Sequence, residues 1–160
     1  MNRAGHIEVF RRSKTNTPPA DDVLMLPDWS EADWDKLLGR THTHPVRASE
    51  VVILRDAHDR TLSFVAPGLF EVGITQVDGV SISPLARIGG GSVIGEQSFF
   101  DGQPRSANVW AVSEGELLAL DFEDFNRFSR EQPALARDLV LALARVLSVR
   151  LRNTTFRVRR

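Results

Sequence analysis

Between Arg40 and Asp121 the apolar residues come in short runs, at 51–54, 62–65, 69–75, 80–88, 107–112 and 117–121. Turn formers separate them: Pro67-Gly68, Asp78-Gly79 and Ser113-Glu114-Gly115. Asp-Gly between alternating residues is a strong signal for a two-residue hairpin, because both central positions need positive φ. Many short strands at regular intervals predict a jelly-roll-like β-barrel. On either side the period lengthens. Ser30 suits a helix N-cap, Glu31 and Asp33 follow, Trp34, Leu37 and Leu38 recur at helical spacing, and Gly39 ends the segment. Residues 122–130 place Phe122, Phe125 and Phe128 along one side of a second helix, which Glu131-Gln132-Pro133 breaks. Pro133 is well placed to open a third helix, running to 152. The fold class is α+β, mainly β, with one short N-terminal helix and two C-terminal helices.

That last helix carries Leu135, Leu139, Val140, Leu143, Val146, Leu147 and Leu151 over an arc of roughly 200°, twice the width of a one-sided stripe. One face can bury against the barrel, and the remainder predicts a homodimer through a parallel copy of helix 133–152. Residues 1–26 show little pattern. Arg3, Arg11, Arg12 and Lys14 are scattered, Thr17-Pro18-Pro19 reads as linker, and Ile7–Phe10 offers at most a short edge strand, so the segment reads as an arm. Glu8 and the lack of a long apolar stripe argue against a targeting or membrane-touching helix there.

Composition narrows the class. At 160 residues, 42% hydrophobic and net charge −1, the chain is sized for one domain at 27–152, flanked by the arm and a basic tail at 153–160. Balanced charge gives no global pull toward nucleic acid or membrane. The absence of Cys excludes disulfides and thiol chemistry. No apolar run approaches the ~20 residues that span a bilayer, so a cytoplasmic protein is expected.

The chemistry concentrates at residues 91–111. Val93-Ile94 leads into Gly95-Glu96, Ser98, Phe99 and Phe100 complete a short helical turn, Gly102-Gln103-Pro104 turns the chain, and Arg105-Ser106-Ala107 opens a new strand. Arg105 offers a planar fork that grips phosphate, a contact worth roughly 1.5–3 kcal/mol. Free N–H groups at the start of the helical turn favour the same charge. Glu96 would repel a bare phosphate, but it can accept a hydrogen bond from a ribose hydroxyl beside one. Phosphate and hydroxyl together suggest a nucleotide.

Gly95-Glu96, then Gly102, Pro104 and Arg105-Ser106-Ala107, resembles the phosphate-binding cassette of the cyclic-nucleotide-binding domain, as in catabolite activator protein and the regulatory subunits of cyclic-AMP-dependent kinase. The resemblance implies a stand-alone, bacterial-type sensor whose ligand is cAMP or cGMP, with no other cofactor, and which signals through a protein effector. It further implies that Glu96 meets the ribose 2′-hydroxyl, that Arg105 meets the cyclic phosphate, and that Ser106 and the N–H of Ala107 assist. Gly95, Gln97 and Ser98 complete the ligand-binding set. Gln97 departs from the family, which usually carries Leu, Ile or Met there. Arg150, a cation in the apolar sector of the last helix, either snorkels toward the helix end or, as the family implies, caps the base. Catabolite-activator relatives carry a DNA-reading domain downstream, and residues 153–160 are too few for a helix-turn-helix. The alternative is a ligand-free dimerising module with the same fold.

Other signals carry less. Gly89-Gly90-Gly91 lacks the Lys-Ser/Thr of a nucleoside-triphosphate loop and reads as turn glycines. His42-Thr43-His44 has the spacing of a metal chelate on a strand, but Pro45 interrupts it and no third ligand is suitably placed, so no metal is expected. With no nucleophile–base pairing and no paired-carboxylate motif, the chain does not read as an enzyme.

Overall fold

The computed structural model describes residues 1–15, 22–75 and 82–158. Helices α1 (Arg3–Thr15) and α2 (Glu31–Leu38) precede strands β1 (His42–Val46), β2 (Val51–Ile53), β3 (Thr61–Val65), β4 (Leu69–Thr75), β5 (Ile82–Gly89) and β6 (Val93–Ile94). After β6 come α3 (Glu96–Asp101), β7 (Asn108–Ala111), β8 (Gly115–Asp121), α4 (Phe122–Glu131) and α5 (Pro133–Val158). The Asp78-Gly79 hairpin, the linker through residues 16–21 and the final two arginines lie outside the described residues.

Strand pairing corrects the expected barrel. The strands form two separate antiparallel sheets, ordered β1-β8-β3-β6 and β2-β7-β4-β5, and no ladder joins them among the described residues. Each sheet therefore keeps two edges. β1 is one of them and carries Pro45, whose missing N–H an edge strand tolerates. That is why a proline that seemed to forbid a strand does not prevent this one.

Two cores lie on opposite sides of the first sheet, and alternation along its strands divides the side chains between them. Leu62 and Phe64 of β3, Leu118 and Leu120 of β8, and Val93 of β6 join the helices in one core. Val65, Leu117 and Ile94, from the same three strands, join Phe70, Ile88, Val109 and Ala111 of the second sheet in the other. The order is helices, first sheet, second sheet.

The N-terminal segment differs from the arm or edge strand expected there. Arg3–Thr15 is helical and buries Ile7 and Phe10, and the Phe10 ring stacks on Trp34 of α2 at 5.6 Å between centroids. α2 begins as its sequence predicts, in a capping box: the Ser30 hydroxyl accepts from the Asp33 N–H at 3.2 Å, and Asp33 accepts from the Ser30 N–H at 3.1 Å. Ser30→Ala is expected to lower the unfolding free energy by about 1 kcal/mol, seen as an earlier urea midpoint with an unchanged slope.

α5 packs Ala136, Leu139, Ala142, Leu143 and Val146 against the helical core. Its exposed side includes Arg137, Leu141, Ala144, Ser148 and Leu151, a more mixed stripe than the broad apolar arc suggested. The helix continues through the expected tail as far as Val158. Among the described residues no helix is long and apolar enough to cross a membrane.

Candidate functional site

β6 ends at Ile94, and the next residue, Gly95, takes φ 82° and turns the chain directly into α3. Left-handed backbone of this kind costs a residue with a β-carbon about 1–2 kcal/mol, so glycine is favoured here. Gly102, at φ 69°, closes α3 by donating its N–H to the Ser98 carbonyl at 3.0 Å. Phe99 is fully buried and fixes the helix to the core. The Arg60 guanidinium secures it from the other side, donating to the Phe99 carbonyl at 2.8 Å and lying 3.4 Å from the Phe122 ring centroid. The short helical turn expected at this point is present.

Glu96 and Arg105 are the buried carboxylate and the buried guanidinium of the described residues. Burying charge without partners is prohibitive, and each has them. Arg105 Nε donates to Asp59 Oδ2 at 3.0 Å, Nη2 donates to Asp59 Oδ1 and to the Thr61 carbonyl at 2.8 Å, and Nη1 donates to the Gly95 carbonyl at 3.0 Å. Four of the five guanidinium N–H groups are thus engaged within the chain. Partial burial pushes the Asp59 carboxyl up, but the hydrogen bond and charge of Arg105 outweigh it and hold the group below its usual range.

Glu96 turns the other way. Its Oε1 lies 2.7 Å from Arg150 Nη1, so α5 reaches the first residue of α3. Arg150 also donates from Nε and Nη2 to Asp22 Oδ2, at 3.2 and 2.9 Å, and from Nη2 to the Ser92 hydroxyl at 3.1 Å and the Val93 carbonyl at 2.8 Å. Burial alone would push its pKa down; Glu96 and Asp22 outweigh this and raise it.

Gly95, Glu96, Arg105 and Arg150 therefore form one connected group, with Arg105 on the Gly95 carbonyl and Arg150 on the Glu96 carboxylate. Ser106 and Gln97 are exposed beside it, their side chains 2.8 Å apart. Gln97 is thus a surface residue bridged to the cassette serine. Ser98 and Ala107 are buried. Asp59, Asp22 and Ser92 carry no motif in the sequence, and a lone carboxylate or serine far along the chain gives no signal that it will meet an arginine.

The histidine pair does not form a chelate. His44 lies 3.1 Å from Glu50, while His42 sits with Asp121 and Asp124, their ligating atoms within 4.8 Å of one another. In that exposed group Asp121 accepts from the Thr61 hydroxyl and Asp124 pairs with Arg127. A groove of about 330 Å³ beside α5, lined by Met25, Leu26, Pro27, Leu141 and their neighbours, includes neither Glu96 nor Arg105.

The pattern of the cyclic nucleotide-binding domain matches residues 43–132, more than half of the chain, and takes in the whole cassette. The chain belongs to the cyclic nucleotide-binding domain family. Membership makes this domain a regulatory sensor and not an enzyme. The cyclic AMP receptor protein of Thermus thermophilus is 39% identical over 88 residues, covering 55% of this chain and 40% of that protein. The matched segment thus spans about two-fifths of that relative's length. Among solved structures, the catabolite activator protein of Thermus thermophilus superposes with a TM-score of 0.69 at 28% identity, covering 82% of this chain and 59% of that one. A cyclic nucleotide-binding domain from Methylobacillus flagellatus covers 98% of this chain and 83% of its own, with a TM-score of 0.80 at 19% identity. That last likeness is one of fold, and its coverage extends over nearly all of the chain.

Proposed function

We propose that this domain binds a cyclic mononucleotide, cAMP or cGMP, in the cytoplasm and passes the binding event to a protein effector, working as a homodimer through helix 133–152. The observation that carries this reading is the pair of buried charged residues, Glu96 and Arg105, linked through Gly95 at the start of α3, within the segment that matches the family. The ligand phosphate is held by the remaining N–H of Arg105, the hydroxyl of Ser106 and the N–H of Ala107. The ribose hydroxyl is held by Glu96, and the base is covered by α5 near Arg150. Glu96 has to share or release Arg150 for this to happen, so binding at the cassette is coupled to the position of α5. The ligand shifts that helix by as much as its affinities for the two arrangements differ. Leu141 and Leu151, exposed on α5, support the dimer.

Titration calorimetry with cAMP, cGMP and a cyclic dinucleotide tests the reading. Saturable micromolar binding of a cyclic mononucleotide is expected, equivalent to about 8 kcal/mol. The extensive internal pairing of Arg105, with four of its five N–H groups engaged, favours the second reading, a ligand-free dimerising module, and a domain that neither gives heat nor shifts its melting point with any of the three establishes that reading instead.

A further inference from the structure

The segment that leads into α2 is stitched to the site from a part of the chain outside the family match. The Ser92 hydroxyl donates to the Asp22 carbonyl at 2.7 Å, the Leu24 N–H donates to the Gly91 carbonyl at 2.8 Å, and Arg145 Nη1 donates to the Val23 carbonyl at 3.3 Å. Val23 and Leu24 are buried. This places the Asp22 carboxylate on Arg150, the guanidinium that also holds Glu96. Arg150 is thus shared between two acids, and the cluster of Glu96, Asp22 and Arg150 carries a net charge of −1 before any ligand arrives.

That charge matters because a cyclic nucleotide is itself an anion. The donors that Asp22 occupies, Nε and Nη2, form the edge of Arg150 suited to a phosphate oxygen or a base carbonyl. We propose that Asp22 sets the affinity of the site by holding that edge itself, so that the ligand and the N-terminal segment compete for Arg150. This rests on the cyclic nucleotide reading given above. Ligand entry detaches residues 22–24 from the Gly91–Ser92 turn, and α1, which the same stretch of chain joins to α2, feels the change. Binding is thereby coupled to the N-terminal part of the domain as well as to α5.

The sign of the effect separates this role from a merely structural one. A carboxylate that only braces α5 would, when lost, loosen the site and weaken binding; a competitor strengthens binding when removed. Asp22→Asn keeps the backbone carbonyl for Ser92 and a neutral acceptor for Arg150, and Asp22→Ala removes the acceptor altogether. Titration of the full chain with cAMP and cGMP is expected to show about tenfold tighter binding by both variants, and equal or weaker binding by both overturns the role of Asp22. Amide hydrogen exchange gives the second readout in the wild-type chain. Saturating nucleotide is expected to speed exchange at Leu24 at least tenfold while Phe99 stays protected, and a Leu24 amide that remains protected in the saturated complex overturns the displacement. If neither the wild type nor the variants bind either nucleotide, the cyclic nucleotide reading falls and this inference falls with it. Binding by the wild type with no change in the variants removes Asp22 alone.

Discussion

Arg105→Ala is expected to abolish the proposed nucleotide binding and to lower the unfolding free energy by about 2–4 kcal/mol. The stability loss follows from what is left behind. The Gly95 and Thr61 carbonyls each lose a charged donor, and Asp59 loses the partner that holds its carboxyl below the usual range. Asp59 is about half exposed, at 47%, so water recovers part of its contribution and the loss sits below that of a fully buried pair. Arg105→Lys is expected to recover little of either quantity. A single ammonium cannot serve two oxygens of Asp59 and two carbonyls on different segments together. Urea unfolding alongside calorimetry checks both claims. A variant within 0.5 kcal/mol of the wild type would show that these bonds contribute nothing net, and full nucleotide affinity without Arg105 would remove it from the site.

Gly95→Ala is expected to cost about 2–4 kcal/mol and to weaken binding at least tenfold, although it adds only one methyl group. The backbone there has φ 82°, and a β-carbon would run into Arg105 Nη1 and lie 2.7 Å from the Thr61 carbonyl oxygen. The side chain can yield, but the carbonyl belongs to β3 and is held in the sheet. Relief therefore has to come from moving the start of α3, and Glu96 with it. A urea midpoint and an affinity both unchanged in this variant would show that the turn accommodates a side chain after all.

These residues also show how far the sequence can be read. Ser30, Gly95 and Pro133 announce themselves because each answers a local backbone demand, and the elements they bound lie where local pattern puts them. The cassette is legible for the same reason, since its glycines, acid and arginine fall within a dozen positions. Pairing between distant segments is not written locally. Alternation along β3 and β8 marks both as strands, yet nothing in either run tells two open sheets from a closed barrel. Helix α1 is hidden because its buried side is His6, Ile7, Phe10 and Ser13, only two of them apolar. The partners of the two candidate-site arginines are hidden by separation: Asp59 lies 46 residues from Arg105, and Asp22 lies 128 from Arg150. Each acid meets its arginine only once the sheets and helices are in place.

The length of α5 has a mechanical consequence. At 26 residues it is a rod of about 39 Å, joined to α4 at Pro133 and gripped by the cassette at Arg150, two-thirds of the way along. A pivot of about 10° at the Pro133 end swings Arg150 through roughly 4 Å and Val158 through roughly 7 Å. Such a pivot would turn a rearrangement on the scale of one side chain at Glu96 into a larger stroke at the far tip.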